Sequence, residues 1–195
     1  MNYNFIEIGT SNFRTLIESA DDKTAGISIE PIKYYLDQLP NKPNLVKLNV
    51  AISTDNNFGE GSIYYIPENI IKERKLKKWL RGCNCMDKYH IRHRGLENLV
   101  RKEFIKKIPL YHVFDQYNVE TLECLKIDTE GSDSDILLSF LPYLQKKSKE
   151  NYPKEIIFET NHLTQKNKVG DVIRQYSILG YKVKEQTKED TVLIL

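Results

Sequence analysis

Cysteine is scarce in this chain, and its scarcity narrows the class of protein. Only 3 of the 195 residues are cysteines, namely Cys83, Cys85 and Cys124. An odd and sparse set argues against a disulfide framework and is typical of a reducing compartment. We therefore expect a cytoplasmic protein without structural disulfides.

Long apolar runs are also missing. No apolar stretch approaches the roughly 20 residues that a membrane-spanning helix needs. The first residues, "MNYNFIEIGT", do not place a long apolar run behind a basic segment, as a signal peptide would. The sequence therefore predicts neither a signal peptide nor a membrane segment.

Glycine is sparse where a nucleotide-binding turn would use it. The strand-like run that ends near Gly9 is followed by no other glycine until Gly26. The dinucleotide fingerprint repeats its glycines so that the backbone can wrap a pyrophosphate. Their absence disfavours an NAD-dependent dehydrogenase.

The composition is that of a folded protein. Apolar residues make up 40% of the chain and charged residues 29%. These fractions provide for a packed core and disfavour disorder. The length suits a single domain, and we expect one that spans residues 1–195.

Charge is distributed unevenly along the chain. Residues 72–107 hold 13 basic and four acidic residues, a net charge of +9, which leaves −7 for the rest of a chain whose total is +2. Such asymmetry favours an anionic partner, which would be a nucleotide-linked sugar, a phosphorylated glycan or nucleic acid. The alternative is a pair of solvated amphipathic helices, and "KERKLKKWLRG" has helical spacing.

Strand-like and helix-like segments alternate, which indicates an α/β domain with a mostly parallel sheet. The last two strands are joined only by "TKED", too short a connection for a crossover helix, so they must be antiparallel. We also predict a strand or hairpin arm at 61–67, a short strand at 110–117 and a basic helical insertion at about 68–107. The predicted strands of the main sheet are 3–8, 25–30, 45–52, 122–128, 154–160, 181–186 and 191–195.

Three stretches place polar residues at the ends of predicted strands, where parallel sheets bind ligands. In the first, Gly9 permits close backbone approach to a ligand. In the second, Glu30 lies 21 residues after Gly9, where an acid can accept hydrogen bonds from both ribose hydroxyls. The third, "LKIDTEGSDSDIL", brings Asp128 and Glu130 to a candidate catalytic or substrate-binding edge.

The first and third stretches also have a purely structural interpretation. Thr10, Ser11 and Asn12 can donate hydrogen bonds to a ligand or cap the following helix. Ser132 or Asp133 can likewise cap the helix that begins near residue 135.

The chain resembles the FkbM family of S-adenosylmethionine (SAM) dependent methyltransferases. The resemblance implies a Rossmann-like class I methyltransferase fold with a seven-stranded, mostly parallel sheet ending in an antiparallel hairpin. It also implies methyl transfer from SAM, usually to a hydroxyl of a sugar or natural product. One departure is Phe13, which stands where many relatives carry a second glycine. The resemblance is carried by "FIEIGTSNF", "GISIEP", "LNVAIS", "LKIDTEGSDSDIL" and "IIFETN".

The resemblance assigns roles to particular residues. Glu7 and Gly9 would lie near the methionine part of SAM, and Glu30 at its ribose. Asp128 would lie at the cofactor and, with Glu130, would face the transferred methyl group. The expected cofactor-binding set is Glu7, Gly9, Thr10, Ser11, Asn12, Glu30, Val50, Ala51 and Asp128, with Val50 and Ala51 near the adenine.

The basic segment contains a second candidate region, "WLRGCNCMDKYHIRH". Its Cys83, Cys85, His90 and His93 could supply four zinc ligands, but their spacing is not that of a zinc finger. Some FkbM relatives carry a similar loop without metal, so we expect a pocket-lining loop and no metal. The expected substrate-binding set is Glu130, Arg81, Cys83, Asn84 and His93.

Methyl transfer to a hydroxyl requires a group that accepts the hydroxyl proton. Our candidates are Asp128 first, His162 second and His90 third. The two acids Asp128 and Glu130 could also hold Mg²⁺, an alternative that we disfavour. The leading hypothesis is an O-methyltransferase for a sugar or glycan hydroxyl. The alternatives are an RNA methyltransferase and a non-catalytic domain that retains the fold.

Overall fold

The computed structural model describes residues 1–11, 15–88, 95–161 and 164–195. The strands are β1 (Asn2–Ile8), β2 (Gly26–Ile29), β3 (Leu45–Leu48), β4 (Ala51–Ile52), β5 (Gly59–Tyr65), β6 (Arg101–Ile108), β7 (Thr121–Ile127), β8 (Pro153–Glu159), β9 (Lys182–Gln186) and β10 (Asp190–Ile194). The α-helices of the described residues are α1 (Leu16–Ser19), α2 (Lys33–Gln38), α3 (Glu68–Glu73), α4 (Leu110–Gln116), α5 (Asp133–Leu144) and α6 (Lys166–Ile178). Short 3₁₀ turns occupy Lys78–Gly82, Glu97–Leu99 and Lys149–Asn151.

Seven strands form the main sheet in the order β3-β2-β1-β7-β8-β10-β9. The first five in that order run parallel, whereas β10 is antiparallel to both β8 and β9. The predicted fold class, a mostly parallel seven-stranded sheet that ends in an antiparallel hairpin, is therefore confirmed. The chain order reverses between β1 and β7, and this is the place where an open parallel sheet binds its ligand.

The central strands are buried on both faces because helices cover the sheet, as expected of a parallel sheet. Ile6 and Ile27 on neighbouring strands are fully buried, and so are Leu125 and Phe158 further along the sheet. On α6 the buried residues are Val169, Val172 and Tyr176 at helical spacing. No helix within the described parts of the chain has the length and apolar character needed to cross a bilayer.

A second, three-stranded sheet with the order β4-β6-β5 corrects two predictions. The predicted strand at 45–52 is two strands, of which β3 joins the main sheet and β4 joins this one. The predicted basic helical insertion at about 68–107 contains α3, two 3₁₀ turns and the strand β6 among its described residues. β6 pairs with β5 along its length, so nonlocal pairing determines its structure.

Two shorter segments also differ from the prediction. The segment 110–117 was predicted as a strand but forms helix α4, whose buried Leu110, Val113 and Phe114 have helical spacing. The predicted continuous helix in "KERKLKKWLRG" ends at Glu73, and Lys75 then adopts a φ of 52°. Trp79, whose spacing in this segment predicted a place on the apolar side of that helix, is 48% exposed.

Gly9 allows a substitution test of how β1 meets β7. Its φ is +80°, and a Cβ there would overlap the carbonyl oxygen of Asp128. Gly9→Ala should therefore lower the free energy of unfolding by about 1–3 kcal/mol, measured by urea denaturation. Gly170→Ala is the matched control: Gly170 lies within α6, where a Cβ would meet no atom within 4 Å. That change should raise stability by about 0.5–1 kcal/mol, and equal effects of the two changes would contradict the proposed contact.

Candidate active site

A cleft opens at the carboxyl ends of β1, β2 and β7, where the chain order of the sheet reverses. With its open mouth it encloses about 550 Å³. Its wall is formed mainly by residues that end strands, and by a loop of the basic segment. The residues that sequence reasoning placed here and that line the cleft are Gly9, Ser11, Glu30, Val50, Ala51, Asn84 and Asp128.

The turn after β1 forms the floor of the cleft. The amide of Gly9 donates to Ile29 at 2.9 Å, and the amide of Asp128 donates to Ile8 at 2.9 Å. These two bonds extend the parallel pairing beyond the strand ends. Because Gly9 contacts the Asp128 backbone, the glycine is required by the protein's own packing as well as by any ligand.

Glu30 links this turn to the end of β2. One carboxylate oxygen accepts from the amide of Ser11 at 2.7 Å, and the other accepts from the amide of Ile32 at 2.9 Å. Burial raises the pKa of Glu30 to about 7, and the two amide bonds partly offset that rise. A carboxylate has about four acceptor positions, so two are left for a ligand after the bonds from the described residues are counted.

Glu7 has a different environment, although it was predicted to lie at the cofactor. Its carboxylate is fully buried, accepts from the Leu16 amide at 2.7 Å and pairs with Lys126 at 3.1 Å. Burial raises the pKa of Glu7, and Lys126 opposes the rise. Glu7 thus connects α1 to β7 beneath the turn, and its contact with a cofactor stays a prediction.

The basic segment supplies the opposite wall through residues 82–86. The carbonyl of Arg81 accepts from Ser11 Oγ at 3.2 Å and from Asn84 Nδ2 at 2.9 Å. Cys85 pairs with Tyr64 of β5, which attaches the loop to the small sheet. The turn after β1 and the loop therefore share one hydrogen-bonded carbonyl.

The cysteines of this loop form hydrogen bonds. The Cys83 thiol is buried and donates to Trp79 at 3.8 Å, and the Cys85 thiol donates to Glu130 at 3.5 Å. Burial raises the pKa of Cys85 to about 11, which keeps it a thiol. Among residues 1–11, 15–88, 95–161 and 164–195 no group of three or more acidic, cysteine or histidine side chains has the arrangement of a metal site.

Carboxyl groups dominate the edge after β7. Burial raises the pKa of Asp128 to about 7, Lys126 lowers it, and Asp133 and Glu130 raise it further. Glu130 adopts a φ of 55°, so the chain turns sharply after Asp128. Nothing in this geometry tests the predicted role of Glu130 at the acceptor, which stays a prediction.

Asp133 fixes the geometry of this edge, although it does so through contacts outside the helix and not by the predicted helix cap. Its buried carboxylate accepts from Thr129 Oγ1 at 2.8 Å and from the amides of Thr129 and Glu159, each at 3.3 Å. It thereby holds the turn after β7 against the end of β8. No side-chain cap bond is found for Ser132.

Sequence reasoning overlooked Glu159, the last residue of β8. Burial raises its pKa to about 9, and the charges of Glu130 and Asp128 add to that effect. The signal was an acid at the end of the strand "IIFE", next in the sheet to the strand that ends before Asp128. Four predicted site residues, Asn12, His90, His93 and His162, lie outside the described residues.

A scan against protein-family models identifies the family of the chain. The methyltransferase FkbM domain matches residues 5–183. The chain belongs to the FkbM methyltransferase family. No curated protein gave a significant match. The resemblance inferred from the strand-end motifs is therefore confirmed, and the cleft is the candidate active site of an FkbM methyltransferase.

The two ion pairs of β7 allow a test of the supporting role of Glu7. Glu7→Gln should lower the free energy of unfolding by about 1–3 kcal/mol, because Lys126 would lose its partner in a largely buried site. Glu123→Gln removes an exposed pair with Lys154 on the same strand and should cost at most about 1 kcal/mol. Urea denaturation compares the stabilities of the two variants. A Glu7→Gln protein as stable as the wild type would show that Glu7 does not support the turn after β1.

Proposed function

We propose that this FkbM methyltransferase transfers the methyl group of SAM to a hydroxyl of a sugar or glycan. One observation carries the proposal: a single cleft at the sheet's switch point unites Gly9, Glu30 and Asp128 with an apolar wall that includes Val50 and Ala51. These are the chemical groups that a nucleoside bearing an amino acid requires. The donor is taken to be SAM because that is the usual methyl donor of such enzymes.

The cleft accounts for each part of SAM. The free acceptor positions of Glu30 suit the two ribose hydroxyls. Val50 and Ala51 provide an apolar surface for the adenine. The turn of Gly9 and Ser11 suits the methionine part. SAM contains no pyrophosphate, so its site does not need the repeated glycines of a dinucleotide-binding turn.

Asp128 is the proposed base. Methyl transfer is an in-line displacement whose leaving group needs no proton, so positioning and exclusion of water supply most of the acceleration. The acceptor hydroxyl must still lose its proton. A carboxyl group with a pKa of about 7 is well suited to accept it near neutral pH.

The protein's location is proposed to be the cytoplasm. No disulfide joins Cys83, Cys85 or Cys124, all of which lie in the part of the chain that the structure describes. Free cysteines are typical of reducing compartments.

The proposal is tested directly by incubating the protein with methyl-labelled SAM and a panel of sugars, nucleotide-sugars and RNA. Transfer of label to a sugar or nucleotide-sugar supports it. Transfer of label to RNA alone would contradict a sugar acceptor and support an RNA methyltransferase.

The ionisation of Glu30 predicts how cofactor affinity depends on pH. Ribose hydroxyls donate to the ionised carboxylate, so binding should strengthen as pH rises through about 7. We expect the affinity for S-adenosylhomocysteine to rise roughly tenfold from pH 6 to pH 8, measured by calorimetry. This ligand lacks the sulfonium charge, so Asp128 contributes little. Glu30→Gln should bind more weakly and without this rise; an equal rise in that variant would exclude Glu30 as its source.

Replacement of the proposed base separates chemistry from binding. Asp128→Asn should reduce methyl transfer by about 100-fold or more while the affinity for S-adenosylhomocysteine, which has no sulfonium charge, stays within about threefold. Asp135→Asn is the control, because Asp135 on α5 pairs with Lys168 on α6 at 2.7 Å. Full turnover by the Asp128→Asn enzyme would remove Asp128 from the role.

The outer face of β6 favours RNA as the second candidate acceptor. Phe104 is 78% exposed, and the Lys102 Nζ lies 4.8 Å from the centre of its ring. Exposed aromatic rings beside basic side chains stack on single-stranded bases. An absence of RNA binding at low salt would count against this candidate.

The remaining alternative is a domain that keeps the fold without catalysis. The cleft, Glu30 and Asp128 argue against it. Calorimetry distinguishes the two, since a lack of SAM binding at millimolar concentration would favour the non-catalytic domain.

A further inference from the structure

The register of the main sheet brings Glu159 beside the proposed base. Ile127 of β7 pairs with Phe158 of β8, so the next residues along these parallel strands are Asp128 and Glu159. Residues in register on adjacent strands share a face of the sheet. Asp190 of β10 pairs with Glu159 from the other side, so three acidic residues form one row.

Glu159 is held in place through its backbone, while one side-chain oxygen remains available. Its amide donates to Asp133 at 3.3 Å, and one carboxyl oxygen accepts from Asn161. The other oxygen, Oε2, is buried and has no hydrogen-bond partner in the part of the chain that the structure describes. A buried polar atom without a partner is costly, and such atoms in native proteins often mark a functional site.

The charges around Glu159 are mostly of one sign. Burial, then the neighbouring carboxylates, hold its pKa at about 9, so it carries a proton at neutral pH. A protonated carboxyl group donates one hydrogen bond and accepts others. Lys126 lies on this face as a positive group and interacts with Asp128 and Asp190. The acidic groups that act on Glu159 are Glu130, Asp128, Asp133 and Asp190.

We propose that Glu159 is a second acceptor-binding carboxyl group, which holds a hydroxyl of the acceptor next to the one that Asp128 deprotonates. This inference rests on the proposed function. In the reaction, the acceptor oxygen forms a bond to the methyl carbon as the carbon–sulfur bond breaks. The bonding electron pair stays on sulfur, and the hydroxyl proton passes to Asp128. Glu159 keeps its own proton and donates it in a hydrogen bond.

This arrangement selects a class of acceptor. Two adjacent carboxyl groups match two neighbouring hydroxyls of a neutral sugar. An anionic substituent beside the methylated position, as in a uronic acid, would meet a row of acidic groups and be disfavoured. A negative charge farther away in the acceptor remains compatible with the basic segment.

The first experiment measures the proton on Glu159 in the intact protein. Carbon-13 NMR of labelled glutamate carboxyl groups, titrated between pH 4 and pH 10, should show one signal that titrates above pH 7 and that Glu159→Gln removes. Titration of that signal below about pH 5 would overturn the proposal. This result needs no acceptor and no cofactor, so it stands apart from any failure of the proposed function.

The second experiment measures transfer from SAM to neutral methyl glycosides with vicinal hydroxyls and to the matching uronic acids. Glu159→Ala should raise the KM for the neutral acceptor by about tenfold or more, with SAM affinity within about threefold. Glu159→Gln, which keeps a neutral donor of the same shape, should stay within about threefold of the wild type.

The controls make the outcome decisive. Glu155→Gln alters another acid of β8, one that pairs with Lys184 at the surface, and should leave KM unchanged. A wild-type KM in Glu159→Ala, an equal loss in Glu159→Gln, or a parallel loss of SAM affinity would each overturn the proposal. A preference for uronic acids would overturn the inferred acceptor class.

Discussion

The arrangement of the cleft depends on the backbone contact between Gly9 and Asp128. Because Gly9 has no side chain, the turn after β1 can lie against the carbonyl of Asp128 at the end of β7. The same turn presents the Ser11 amide to Glu30 and the Ser11 hydroxyl to Arg81. One close approach thus joins the expected ribose site, the proposed base and the loop of the basic segment.

The site holds buried acids at a cost to stability. Burial raises the pKa values of Glu30 and Asp128 to about 7 from ordinary values of 4.5 and 3.8. These two carboxyl groups lose their protons at a lower pH in the unfolded chain than in the folded one. Their contribution to folding stability therefore falls as pH rises from about 4 to about 7. The proposed cofactor, with its hydroxyl donors and its sulfonium charge, would offset this cost.

Local signals made much of the site predictable from sequence. Glu30 and Asp128 each follow an apolar run, and parallel strands place such ends at one edge. The hairpin followed from the length of "TKED" alone. By contrast, β6 is a strand because β5 pairs with it, and no feature within the basic segment required that pairing. Glu159 was overlooked for the same reason, since its place beside Asp128 depends on the register of β7 and β8.

The most direct test of the central claim is a crystal structure with S-adenosylhomocysteine. The account predicts that the ligand lies in the cleft, with both ribose hydroxyls within about 3.2 Å of the Glu30 carboxylate. Its adenine should contact Val50 and Ala51, and its sulfur should face Asp128. A ligand bound elsewhere, or bound in the cleft with its ribose away from Glu30, would contradict it.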